Sequence, residues 1–428
     1  MCATHLRLNR ADSAESAPQN TNLLGLDAVR AWAAVGVVVL HACVPYSNPD
    51  VPGLTWATTD TPHSALTSLM WAIEIVIMPI FLVMAGILAV RSMTSRGPLA
   101  TLKSRTRRLG WPLFLSVVFL IPVDLYAWLL GWLADGVITP RQMRTLKFAE
   151  GQDEHLWGLS HLWFLQYLIL YIAVLAGAWK WLQRIEPKTV FRIGLPLTVS
   201  VAAVVLCFHP EVVWGFQHAF LPVPAKWLYS GCAFAMGVLI ARADADLSWL
   251  RQVAGRAFCP SALLCIAATV LGIWVLNQRP SDDVQYASAF PVVVSRVTWV
   301  SLALLTVAGA TGVSLSLIGI ACRRVNKIGP VTQRLATASF AIYLLHHPVL
   351  VLFHVAAKHG MPSASPLLKM SLGTIIAVLV PVGMHFVFRG MMARRASTVV
   401  SQGDQDAPSI LTMPTTSEES ASERRLAG

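Results

Sequence analysis

Ten apolar stretches, each long enough to cross a bilayer and joined by short polar connections, constrain this chain more than any other feature. Their approximate limits are 24–45, 65–90, 109–133, 161–182, 191–208, 225–241, 258–276, 288–312, 336–357 and 367–388. A helix of about 20 apolar residues spans the hydrocarbon core. Unpaired backbone groups are too costly in lipid for open sheets or irregular loops. The expected fold class is therefore all-α, a polytopic membrane protein with about ten transmembrane helices. Composition agrees, because only 13% of the residues are charged, against about 25% in soluble domains.

Basic residues give the bundle a direction. With the N-terminus placed in the cytoplasm, the inner segments hold 23 Lys and Arg and the outer loops hold 5. Such a positive-inside bias predicts cytoplasmic N- and C-termini and a multi-pass protein of the cell (inner) membrane. The same asymmetry accounts for most of the net charge of +11. No soluble basic face is left to bind nucleic acid. The expected organisation is a disordered cytoplasmic N-terminus (1–22), a membrane domain (23–390) and a disordered cytoplasmic tail (391–428). Residues 1–22 lack the pattern of a cleavable signal peptide. The seven cysteines show no CxxC spacing, so neither a disulfide framework nor a metal site is expected. The sequence does not speak to oligomeric state.

Ionisable residues inside apolar spans are costly and mark candidate functional sites. The segment GLDAVRAWAAVGVVVLHACVPY (25–46) holds Arg30 and His41, about 16 Å apart along one helix. Asp27 lies one turn before Arg30 and is placed to pair with it. Glu74 falls in span 2 ahead of Pro79, Asp124 in span 3, and Arg296 in span 8. His161 opens span 4 beside Trp163, and His346 and His347 precede Pro348 in span 9. Each has an ordinary alternative. His41 and His161 fit interfacial residues, Glu74 and Arg296 an interhelical ion pair, and Arg105, Arg107 and Arg108 plain topological signal.

Five segments in order resemble the acyltransferase-3 family of integral membrane O-acyltransferases. GLDAVRAWAAVGVVVLHA carries Asp27 and the R-x10-H pair Arg30–His41. MPIFLVMAGILA (78–89) is similar to the family's FF-x-x-SG segment, with Ala85 in place of the small hydroxyl residue. RTRRLGWPLF (105–114) resembles its basic motif ending in proline. SHLWFLQYLILY (160–171) looks like the H-L-W-F-L segment of the glucan-modifying branch. SFAIYLLHHPVL (339–350) resembles the closing S-x-x-I-Y-L-x-H-x-P motif.

The resemblance implies an acyl-CoA donor from the cytoplasm and a hydroxyl acceptor, often a saccharide, on the other side. Arg30, Arg107 and Arg108 are then expected to bind CoA phosphates. His41 is expected to serve as general base or as acyl carrier, with Glu74 or Asp124 orienting its ring. Asp27, His161, Trp163, Arg296 and His346 are expected to line the cavity, and Trp157 and Trp163 to stack on a sugar. The competing class is a secondary transporter or flippase, which also uses buried ionisable groups. No inverted repeat supports it.

Overall fold

The structure, a computed structural model, describes residues 17–54, 56–150, 152–153, 156–217, 219–278 and 294–405. The described residues are helical, without a strand. In order they form α1 (Ala17–Cys43), α2 (Ser64–Arg96), α3 (Pro98–Leu115), α4 (Ile121–Ala134), α5 (Pro140–Thr145), α6 (Trp163–Arg184) and α7 (Pro187–Phe208). After these come α8 (Glu211–Trp214), α9 (Pro224–Ala243), α10 (Ser248–Leu276), α11 (Arg296–Arg324), α12 (Pro330–Gly360) and α13 (Pro366–Gln405). A π-helical turn, Ser116–Leu120, joins α3 to α4. It lies between Pro112 and Pro122, whose missing N–H groups loosen the local ladder.

Nine helical segments among the described residues are long and apolar enough to cross a membrane. The protein is a multi-pass membrane protein. The sixth expected span, 225–241, is a helix (α9) but is not one of the nine. Its first turns carry Lys226, Trp227, Tyr229 and Ser230, which dilute its apolar character.

The directions of neighbouring helices test the ten-span alternation. Arg30, His41 and Tyr46 of the first span region meet Ala336, His346 and His354 of α12, so spans 1 and 9 run parallel. Asp124 and Asp135 meet His347 and Lys358, which sets span 3 parallel to α12. Tyr171 of α6 bonds to Trp227, and Leu182 to Arg242, so α6 runs parallel to α9. By contrast α10 and α11 are antiparallel: Gly309 abuts Cys265 and Gly319 abuts Leu250. Every pair has the sense that ten alternating crossings require, with α9 counted as the sixth.

Small residues let backbones touch, as membrane helices favour. A Cβ on Gly237 of α9 would lie 2.1 Å from the Val83 carbonyl oxygen, and one on Gly86 of α2 would lie 2.2 Å from that of Phe234. The two glycines thus form one crossing. Cys43, Cys207, Cys232, Cys259 and Cys265 form no disulfide among the described residues.

Two boundaries differ from expectation. Helix α1 begins at Ala17, inside the segment expected to be disordered, and α13 continues to Gln405, past residue 391. Residues 1–16 and 406–428, the remainder of both expected disordered segments, lie outside the described residues. The chain divides into two units, Met1–Gly383 and Met384–Gly428. Every side chain discussed below belongs to the first.

Candidate active site

A cavity of about 700 Å³ runs through the first unit, from Asp27, Arg30, Arg105 and Arg108 at one end to Val51, Leu54, Gly215 and Phe216 at the other. His41 lines it between the two ends.

The arginine end is built by helix periodicity. Arg105 and Arg108 are three residues apart on α3, so both face the cavity. Arg105 is in electrostatic range of Arg108, Arg96 and Arg30. Arg30 Nη2 is 2.9 Å from Asp27 Oδ1 and donates to the Ala336 carbonyl at 3.2 Å. The pairing of Asp27 with Arg30 is as the sequence spacing suggests. Its Nε is buried without a partner. Several guanidinium groups against one carboxylate leave an uncompensated positive field, which suits an anion. Arg107 is placed apart from Arg105 and Arg108. It points away from the arginine face, is exposed and does not line the cavity; Arg105 takes its place.

The middle of the cavity is a histidine cluster. His41 Nδ1–H donates to the Val37 carbonyl at 2.8 Å, which leaves Nε2 with its lone pair free. The His41 ring lies 5.0 Å from that of His346 and 5.5 Å from that of His347. His161 is 5.1 Å from His346 and stacks on His347 at 5.0 Å. His161 is buried, because Ser160 adopts a left-handed backbone (φ 49°) that turns the chain inward before α6. Non-glycine residues take that conformation at a cost, and it concentrates at functional sites.

His347, which the sequence places in span 9 without assigning it a role, is the best anchored. Its Nδ1–H donates to Asp124 Oδ1 at 2.7 Å, with both side chains almost fully buried. Neither expected carboxylate therefore orients His41 directly. Asp124 holds His347 and reaches His41 only through space. Glu74 instead faces Lys226, close enough for electrostatic coupling but not in contact. Lys226 Nζ sits 4.1 Å above the Trp163 ring and 5.9 Å from that of Phe216. A lysine inside an expected span was a visible signal for this group.

The loop end is bordered by residues 47–54 and 56–63. Gly53, with φ 74°, lets the loop press against Phe216: the Phe216 N–H donates to the Pro52 carbonyl at 2.7 Å, and any Cβ on Gly53 would lie 2.4 Å from the Phe216 oxygen. The loop carries Trp56 over His41, with ring centres 6.3 Å apart, and against His347 at 5.1 Å. Lys369 Nζ clasps Asp60 Oδ2 at 2.8 Å and is itself 1% exposed.

Two expected cavity residues, Arg296 and His346, and one expected sugar-stacking residue, Trp157, lie outside the cavity lining. Arg296 is the exposed first residue of α11 and does not line the cavity. The helix and its candidate span both start there, so the residue sits at a helix end, and among the described residues no ion pair joins it to Glu74. His346 is fully buried behind His41 and His161 and does not line the cavity wall; its Nδ1–H serves the Ile342 and Tyr343 carbonyls. Trp157 is exposed, donates to Asp153 at 2.8 Å and is also outside the lining. Asp27, His161 and Trp163 line the cavity.

No curated protein and no solved structure matches the chain significantly. The family described as "Acyltransferase domain" (acyltransferase-3) matches residues 23–386, which contain every element of the cavity. That match spans most of the 428 residues, so the chain belongs to the acyltransferase-3 family and is a membrane acyltransferase.

Proposed function

We propose that the protein moves an acyl group from cytoplasmic acyl-CoA to a hydroxyl of an extracytoplasmic saccharide or related acceptor. The observation that carries this reading is the single cavity joining an arginine-lined end to an aromatic and polar end, with His41 between them. Arg30, Arg105 and Arg108 suit the phosphates of CoA, because guanidinium groups make charge-assisted, often bidentate bonds to phosphate. The rise of about 16 Å from Arg30 to His41 is comparable to an extended pantetheine arm. The thioester is then delivered to His41.

At the opposite end, Glu74 and Lys226 offer an acceptor and a donor of hydrogen bonds beside Trp163 and Phe216. A polyhydroxyl ligand needs that combination of polar groups and aromatic faces. His41 Nε2 takes the proton of the acceptor hydroxyl as its oxygen attacks the thioester carbonyl. The C–S bond breaks, an ester C–O bond forms, and the imidazolium returns the proton to the CoA thiolate. His347, fixed by Asp124, packs against the His41 ring and restrains its orientation. Trp56 covers the reacting centre and limits water entry, which favours transfer over hydrolysis.

Mass spectrometry of envelope glycans and secreted metabolites, with and without the gene, tests the assignment. The expected result is an acyl mass lost from a hydroxyl-bearing saccharide on deletion and restored by the gene. An unchanged acylation profile, with acyl transfer absent from the purified protein, contradicts it.

A further inference from the structure

We propose that Asp124, His161 and His347 bind one divalent transition-metal ion of the zinc type in the cavity wall beside His41. Each offers one donor atom, and the three atoms lie within 4.8 Å of one another. A tetrahedral ion bonded at about 2.0–2.2 Å spaces its donors about 3.4 Å apart. Closing the set therefore asks for side-chain rotation, not backbone movement. The residues come from α4, the turn before α6, and α12, and all three are buried.

The ring nitrogens supply a second, independent argument. A metal-binding histidine usually gives one ring N–H to a carbonyl or carboxylate, which fixes the ring and presents the other nitrogen. His161 follows this pattern: Nε2–H donates to the Leu344 carbonyl at 3.1 Å and leaves Nδ1, 3.4 Å from the Ser160 hydroxyl, to the ion. At His347 the ion takes the place of the proton that Nδ1 shares with Asp124 Oδ1 at 2.7 Å, and the ring keeps its proton on Nε2. His41 and His346 follow the same rule with the carbonyls of Val37 and Ile342. His346 Nε2 is buried without a partner. Trp56 and Trp128 enclose His347 at 5.1 and 5.6 Å, an apolar wall of the kind that lowers the local dielectric around metal sites.

Two imidazoles and one carboxylate suit Zn²⁺ or Co²⁺ better than Mg²⁺ or Ca²⁺, which prefer all-oxygen shells. Three protein ligands leave a fourth position open. His161 and His347 both line the cavity, so that position is reached from it. The inference does not depend on the identity of donor or acceptor.

The test uses the full chain in detergent, free of any polyhistidine tag, stripped with chelator and titrated with Co²⁺. The expected result is one saturable equivalent per chain, with the visible absorption of a tetrahedral site, displaced by Zn²⁺. His161→Ala and His347→Ala should abolish the band, and Asp124→Asn should weaken Co²⁺ affinity at least about 10-fold. His209→Ala, at the exposed His209–Glu211 pair, should retain the band. X-ray absorption of the Zn²⁺-loaded wild type should show imidazole in the first shell, a readout that stands even if a variant fails to fold. Absence of a saturable band, a band unchanged in folded His161→Ala or His347→Ala protein, or a zinc shell without imidazole overturns the proposal. Acyl transfer by a chain that fails these tests would leave the functional reading intact.

Discussion

The crossing of α2 and α9 at Gly86 and Gly237 positions Glu74 and Lys226, and it can be perturbed by one methyl group. In Gly237→Ala the added Cβ meets the Val83 carbonyl oxygen at 2.1 Å, its carbon at 2.9 Å and its Cα at 3.0 Å. All three are backbone atoms, so no side chain can rotate aside. Relief to ordinary contact needs the helices to part by about 1 Å, and overpacking of that kind costs about 1–3 kcal/mol. Gly86→Ala meets the Phe234 oxygen at 2.2 Å and should cost a similar amount. The same separation relieves both clashes, so the double variant should lose clearly less than the sum of the single losses. Thermal denaturation of purified protein in detergent, followed by size-exclusion recovery, measures all three. Single variants as stable as wild type, or fully additive losses, would refute the close-crossing argument.

The arginine end makes a residue-specific prediction. Arg30→Ala and Arg105→Ala should each raise the apparent KM for acyl-CoA about 10-fold or more, the worth of a charge-assisted hydrogen bond. Arg107→Ala should leave it nearly unchanged; equal effects at Arg105 and Arg107 would contradict the assignment. At the other end, Glu74→Gln should raise the acceptor KM several-fold without altering the KM for acyl-CoA, as initial-rate kinetics will show. Asp60→Asn leaves the Lys369 ammonium buried without its partner and should lower stability by about 3 kcal/mol. Burial raises the Asp60 carboxyl, but the hydrogen bond and charge of Lys369, together with the Thr61 N–H, outweigh it and hold the group below its usual range. A depressed carboxyl stabilises the folded state above the unfolded-state value of about 3.9 and loses that contribution as pH falls through the folded-state value. The Asp60→Asn deficit should therefore be constant from about pH 5 to 8 and shrink only in stronger acid. A deficit that vanished near neutrality would contradict the clasp.

Period and hydropathy made the membrane bundle legible, and the alternation of ten spans agrees with the parallel and antiparallel pairs. Local spacing also carried the Asp27–Arg30 pair. Contacts between distant segments were not legible. Arg107 and Arg105 look equivalent in a basic run, and only the orientation of α3 separates them. Asp124 and His347 lie far apart in the chain, and nothing along it states that they bond. His161 looks interfacial beside Trp163 until the left-handed Ser160 turns it inward. Arg296 looks buried only because the apolar count around it runs beyond the start of α11. Glu74 was legible as a charge inside an apolar span, and Lys226 carried the same signal in span 6, but nothing along the chain states that the two face each other.

The most direct test of the account is acyl transfer from labelled acyl-CoA by purified wild-type and His41→Ala proteins of matched size-exclusion profile. Loss of general-base catalysis should lower the rate about 10²–10⁴-fold, with acyl-CoA binding retained through Arg30, Arg105 and Arg108. Transfer by folded His41→Ala protein at the wild-type rate would contradict the central claim that His41 performs the chemistry.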